Sequence, residues 1–286
     1  MVPVMSIPAT SVSLAALAAC PVCGGDLSPA SGALRCPSGH SFDLARQGYV
    51  NLLTGGAAGT ADTADMVAAR ADFLAAGHYA ALTRHLAARA AALAPDGPVL
   101  DAGAGTGHYL AAVLDARPGA AGLALDVSKY AARRAARAHP RAVAAVADVW
   151  RRLPARTGAM AVVLNVFAPR NAAEFARVLA PGGVLLVATP TPAHLGELVA
   201  AAEMIEVDPR KDERLSASLS GAFVPVERQE VTAALRLGRG AAELAVRMGP
   251  SGHHLPADRV RAVLAGLPEP ITVTAAVAVT AWRAKK

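Results

Sequence analysis

At 286 residues the chain is long enough for one small module beside one domain of ordinary size. Its 53% hydrophobic share rests heavily on alanine, with aromatics at only 4%, and no apolar run of bilayer length escapes interruption by glycine, proline or charge, which excludes a helical membrane protein. A formal net charge of +6 points to anionic partners, nucleic acid first, although arginine richness also follows from codon bias.

Residues 1–19 read as a flexible leader. Leu17-Ala18-Ala19-Cys20 resembles a lipoprotein cleavage box, but no Lys or Arg precedes Arg35, and Pro3 and Pro8 break the apolar stretch. Cys20 is better used as the start of a C-x2-C-x12-C-x3-H pattern formed by Cys20, Cys23, Cys36 and His40. Two knuckles at that spacing supply the four soft or borderline donors of a tetrahedral zinc. The alternative, free or disulfide-bonded cysteines, fits poorly with an odd count and two correctly spaced knuckles. A closed Cys3His set keeps no open coordination position, so the expected zinc is structural. Reduced metal-binding thiols agree with a cytoplasmic protein.

Residues 20–53 form this zinc-binding module, ending in short strands around Phe42–Leu44 and Gln47–Leu53. Residues 54–97 comprise a small-residue linker at 54–62 and two helices, about 64–76 and 78–94. Residues 98–286 form the main domain. Strands are predicted at 98–102, 122–126, 143–148, 160–167 and 184–189, and helices at 107–116, 128–138 and 172–179. Such alternation specifies an α/β fold, a mostly parallel doubly wound Rossmann-like sheet. Two long segments, 226–237 and 271–282, suit a C-terminal antiparallel hairpin that completes it.

The first strand runs into Asp101, Gly103, Gly105, Thr106 and Gly107. A dinucleotide fingerprint needs G-x-G-x-x-G, but His108 stands where its third glycine belongs. The pattern is D-x-G-x-G-x-G instead, with an acid placed to meet an amino acid's ammonium group, which NAD lacks and S-adenosylmethionine has. Asp126, ending the second strand, is placed for the ribose hydroxyls, and Asp148, ending the third, for the adenine amino group. Each acid alone is equally a cap or turn residue after a strand. The three in order look like a class I methyltransferase with S-adenosyl-L-methionine as cofactor.

Further words sharpen the match. Residues 36–43 (CPSGHSFD), 46–53 (RQGYVNLL), 75–79 (AAGHY), 125–129 (LDVSK) and 188–195 (ATPTPAHL) closely resemble the RlmA family over about residues 20–250. The resemblance implies methylation of guanine N1 in the hairpin 35 loop of 23S rRNA. A TlrB-like branch of that family confers resistance to macrolides such as tylosin or mycinamicin. It also implies zinc ligands Cys20, Cys23, Cys36 and His40, and cofactor contacts from Tyr79 and His194 beside Gly105 and Thr106. Without it, Tyr79 is an aromatic packed at a helix start and His194 a capping or core histidine. The chain departs from the family at 54–62, which lacks basic residues, and at 249–254, where an aromatic-rich segment is replaced.

The end of the fourth strand, Asn165-Val166-Phe167, is where this fold presents groups to the acceptor. Asn165 is a candidate to read the base edge and Phe167 to stack on the base, with a plain core role as the alternative; no general base is evident. Phosphate contacts are expected from Lys129, Arg133, Arg134 and Arg137 unless that helix is a solvated outer face; the zinc module, with Arg35 and Arg46, is the better candidate for specific RNA docking. A homodimer would suit a folded rRNA target. Two alternatives stay open: a small-molecule or protein methyltransferase with a structural zinc module, and a non-catalytic RNA-binding regulator.

Overall fold

The computed structural model describes residues 9–56, 61–202, 204–205 and 211–285. Its frame is an eight-stranded sheet whose middle strands are apolar on both faces, as a parallel sheet sandwiched between helices requires. In chain order the elements of the main domain begin with β5 (Val99–Ala102), α4 (His108–Asp115), β6 (Gly122–Asp126), α5 (Lys129–Ala135) and β7 (Ala142–Val146). They continue with β8 (Met160–Val166), α6 (Ala172–Val178), β9 (Leu179–Pro190), α7 (Gly196–Ala202) and α8 (Lys211–Ser220). The last are β10 (Phe223–Leu237), α9 (Arg239–Arg247), a 3-10 turn at Pro250–His253, α10 (Ala257–Ala265) and β11 (Ile271–Ala284).

Strands β7, β6, β5, β8 and β9 lie side by side and parallel, while β11 runs against both β9 and β10. The chain leaves β5 toward β6 and β7, then returns to β8 on the other side. The crevice at the carboxyl ends of β5 and β8 is therefore the topological switch point where ligands bind in such sheets. The expected C-terminal hairpin is an antiparallel pair, but α9, the 3-10 turn and α10 separate its strands.

The N-terminal region holds α1 (Ala9–Leu17), β1 (Ser28–Ala30), β2 (Ala33–Arg35), β3 (Ser41–Asp43) and β4 (Tyr49–Asn51), followed by α2 (Ala64–Ala75) and α3 (Ala80–Leu93). The described part of the leader is not flexible: α1 packs against β1, β6 and β7, and Leu14, Leu17 and Ala18 are buried. Its buried leucines stand among alanine, serine and threonine on all sides, so little apolar periodicity marks it. Residues 1–8 lie outside the described residues, as do 57–60 of the linker. Strands β1, β2 and β3 form a separate antiparallel sheet around the zinc knuckles. β4 touches this module through an antiparallel bridge between Val50 and Leu44, and it also adds in parallel to β7 and becomes the edge of the large sheet.

Helix starts follow local chemistry. The Thr63 hydroxyl accepts the Met66 N–H at 3.2 Å to cap α2, with Asp65 in the first turn against the helix dipole. Asn171 caps α6 the same way through the Glu174 N–H.

Candidate functional site

The site grows from the loop after β5. Gly103 has φ +88°, and a Cβ there would lie 2.3 Å from Cβ of Ala168, so only glycine lets this loop cross the end of β8. The loop holds itself to β6: Gly103 and Ala104 donate to the Leu125 carbonyl, and the Gly105 N–H donates to Asp126 Oδ2 at 2.8 Å. The other Asp126 oxygen accepts the Ser128 N–H at 2.8 Å. Burial raises the Asp126 pKa, and these two N–H groups oppose the rise.

Asp101 differs. It is fully buried and both carboxylate oxygens lack a hydrogen-bond partner among the described residues. Burial, then the charge of Asp126, pushes it up to about 8. A buried carboxyl with two empty acceptors is costly unless a cation meets it. The ammonium group of an amino acid moiety supplies that charge and those donors, so the donor set fits S-adenosylmethionine. Asp148 stands beyond the end of β7, next to Asp126, and accepts the Trp150 N–H at 2.9 Å. It also pairs with Arg151 Nε at 3.7 Å. Thr106 is half-buried on the same loop, and Gly107 begins α4.

Three rings from distant parts of the chain meet at the other side of the crevice. Tyr79, between α2 and α3, is buried with its hydroxyl 2.9 Å from Nε2 of His194. Phe167, just past β8, stands 6.2 Å from Tyr79 and 5.7 Å from His194, centroid to centroid. Phe167 has φ +54° and is 40% exposed. A left-handed aromatic costs of order 1–3 kcal/mol and persists where its surroundings enforce it. His194 Nδ1 accepts the Ala276 N–H at 3.2 Å, which puts the ring proton on Nε2 and directs it at the Tyr79 oxygen. Burial raises the Tyr79 pKa, so it stays a phenol.

Asn165, the candidate to read a base edge, has its amide nitrogen engaged by the backbone while its Oδ1 has no hydrogen-bond partner among the described residues. It is fully buried, and its amide nitrogen donates to the carbonyls of Ala102 at 3.1 Å and Pro169 at 2.7 Å. That side chain braces the ends of β5 and β8. Arg70 was not anticipated. From α2 it ion-pairs with Asp62, donates to the Met248 carbonyl at 2.6 Å, and lies over the glycine loop, 3.4 Å from where a Gly105 Cβ would be. No motif marks it: Asp62 stands eight residues back across the linker, and Met248 and the glycine loop are remote in sequence.

In the zinc module, Cys20 Sγ and Cys36 Sγ lie 3.6 and 3.2 Å from His40 Nδ1, and Cys23 Sγ lies 3.7 Å from Cys36 Sγ. All four donor atoms fall within 4.8 Å of one another. A tetrahedral zinc with bonds of about 2.0–2.3 Å sets its donors roughly 3.5–3.8 Å apart, so the set fits this ion. The Gly25 N–H, with Ser38 and Cys20, lowers the Cys23 thiol to about 6, toward the thiolate a metal needs.

The comparisons with known proteins agree with this geometry. Residues 18–54 match the family described as RlmA, N-terminal, and residues 99–183 match a methyltransferase domain. A Streptomyces fradiae protein named 23S rRNA (guanine(748)-N(1))-methyltransferase is 50% identical over 92% of this chain and 95% of its own length. The chain belongs to the RlmA family of methyltransferases. A Micromonospora griseorubida relative, named by inference as a 23S rRNA (guanine-N1)-methyltransferase, is 54% identical over 92% of this chain and 96% of its own. A Bacillus subtilis relative, named likewise, is 35% identical over 63% of this chain and 66% of its own. Among the described residues no helix is long and apolar enough to cross a membrane.

Proposed function

We propose that this RlmA-family chain transfers the methyl group of S-adenosylmethionine to N1 of a guanine in the hairpin 35 loop of 23S rRNA, the guanine numbered 748 in the name of its Streptomyces relative. The observation that carries the reading is Asp101, buried with both oxygens unpartnered at the head of the glycine loop, in a chain half identical along its length to that enzyme. The site of action is the cytoplasm, where ribosomal RNA is found. Resistance to macrolides such as tylosin or mycinamicin is the proposed consequence, since a methyl on N1 removes a hydrogen-bond donor and adds bulk to the loop.

The cofactor supplies a methyl already activated on a sulfonium, so the protein's task is alignment and exclusion of water. Asp101 would hold the ammonium group, Asp126 the ribose hydroxyls and Asp148 the adenine amino group. Gly103, Gly105, Thr106 and Gly107 shape the loop against the methionine portion, and Tyr79 with His194 closes the wall beside it. Phe167, with one face open, would stack on the guanine once it is drawn from the loop. His194 has both ring nitrogens engaged and Tyr79 stays protonated, so neither takes the N1 proton. It leaves to water at the open Phe167 side as the N1–methyl bond forms.

The test is transfer of labelled methyl to unmodified 23S rRNA, followed by primer extension through hairpin 35. N1-methylation blocks Watson–Crick pairing, so reverse transcriptase should stop one nucleotide before the target. Label in RNA without that stop places the target elsewhere. No label in RNA returns the chain to a small-molecule or protein acceptor.

A further inference from the structure

Many of the arginines of this chain serve the fold. Arg117 and Arg141 donate to backbone carbonyls at helix ends and turns, Arg177 binds Glu174 and two carbonyls, and Arg239 pairs with Glu269. Their charge is already spent on internal partners. Arg133, Arg134 and Arg137 are different. They are exposed, and none has an ion pair or side-chain hydrogen bond among the described residues.

These three line one wall of a cleft of about 570 Å³ between α5 and α2. Tyr130 adds a 42% exposed ring to the same wall, with Lys129 Nζ 5.3 Å from its centroid. Val67 of α2 faces them, and Thr106 of the glycine loop lines the space between. The walls are tied: the Ser128 hydroxyl, at the start of α5, donates to the Asp62 carbonyl just before α2 at 2.8 Å. Asp65, the acid in the first turn of α2, leans toward Arg247 at 4.0 Å.

We infer that the α2–α5 cleft is a docking groove for a single-stranded stretch of the RNA substrate, with phosphates on Arg133, Arg134 and Arg137 and one base stacked on Tyr130. Unpaired guanidiniums give bidentate anchors for phosphate. An exposed aromatic flanked by cations is the stacking element that single strands use. A loop nucleotide flanking the target would be held there, on the outer side of the loop that carries the cofactor, because Thr106 belongs to both. The inference rests on the proposed RNA substrate and adds where that RNA is gripped.

Binding, read apart from methylation, tests it. The full chain, Arg133→Glu with Arg137→Glu, and Tyr130→Ala are titrated with a labelled hairpin 35 RNA across a series of KCl concentrations, with calorimetric cofactor binding as the check of folding. The double variant is expected to lose at least about tenfold in RNA affinity and about 1.4 from the slope of log affinity against log salt, two phosphate contacts at roughly 0.7 each. Tyr130→Ala is expected to weaken binding about tenfold with the slope unchanged. Cofactor affinity should stay at the wild-type value in both.

The same charge change on the remote strand β10, Arg228→Glu with Arg236→Glu, should leave RNA affinity within about twofold. Wild-type affinity and slope in the cleft variants, or an equal loss in the β10 variant, overturns the groove. Wild-type RNA binding lost in the cleft variants, but without methyl transfer, leaves the groove standing and sinks the proposed reaction. A wild-type chain that does not bind the hairpin overturns both.

Discussion

The hydroxyl of Tyr79 and Nε2 of His194 lie 2.9 Å apart across 115 positions of sequence. The bond joins the turn between α2 and α3 to the loop after β9, and Ala276 of β11 fixes the histidine from behind. The contact thus ties the α2–α3 turn to a loop that Thr191, Leu195 and Glu197 already bond to β11. Tyr79→Phe keeps the ring but removes the hydroxyl partner of the half-buried histidine, a cost of about 1 kcal/mol in stability. Cofactor affinity should fall severalfold in Tyr79→Phe, and His194→Ala should add little on top of it, because the two act as one unit. A calorimetric double-mutant cycle checks this; additive losses would show two independent contacts.

Phe167 sits at φ +54°, where a Cβ is strained and glycine is not. Phe167→Ala and Phe167→Gly both remove the ring, and only the first keeps the Cβ. The glycine variant should therefore be the more stable of the two by about 1 kcal/mol in denaturant melts. Both should bind cofactor as wild type and lose at least about tenfold in kcat/KM toward RNA. Full turnover by either would remove the ring from base recognition.

Asp101 gives the site a pH signature. Its folded pKa, pushed up to about 8 by burial and then by Asp126, lies above the ordinary carboxylate value near 3.9. Between those values the folded chain holds a proton that the unfolded chain has released, so stability falls as pH rises through that window and levels above about 8. The cofactor's ammonium needs the carboxylate form, so binding below about pH 8 expels a proton. Affinity should climb from pH 6 to 8 by up to about tenfold per unit. Calorimetry in buffers of different ionisation enthalpy counts that proton. Asp101→Asn should bind cofactor at least about tenfold more weakly and abolish the proton release.

What sequence could show here was local. The spacing of Cys20, Cys23, Cys36 and His40 is a short-range pattern, and the four donors do converge. The D-x-G-x-G-x-G loop and the apolar runs of β5 to β9 are also short-range, and their elements stand within a few residues of expectation, β9 starting earliest relative to it. Relationships formed across the chain were not legible. β4 reads as part of the zinc module because its partner β7 lies nearly a hundred residues on, and nothing in Tyr49–Asn51 names that partner. α1 was missed because its buried Leu14 and Leu17 sit in a short stretch of small residues with no strong periodic signal. Tyr79 and His194 were singled out by family resemblance alone, and Arg70 by nothing. Asn165 was assigned to the acceptor from its position at a strand end; that position does not show that its amide nitrogen is spent on the Ala102 and Pro169 carbonyls, leaving only Oδ1 unpartnered.

Zinc should act on the cofactor site through the segment from Asp148 to Arg156. Arg152 rests on the first knuckle, its Nη2 2.7 Å from where a Gly24 Cβ would be, and Arg156 pairs with Asp26 at 3.0 Å. Arg151 donates to the carbonyls of Thr54 and Gly56 while lying beside Asp148. Asp148, the acid proposed for the adenine, is therefore held from the same segment that clasps the zinc module. Since a structural zinc supplies folding free energy directly, chelation should melt the module and free those arginines. One equivalent of zinc should be released, the thermal midpoint should fall, and cofactor affinity should drop about three- to tenfold even where the main sheet stays folded. Cys23→Ser should reproduce the loss without chelator. Cofactor affinity unchanged after verified loss of zinc would mean that the Asp148 turn is held by the large sheet alone.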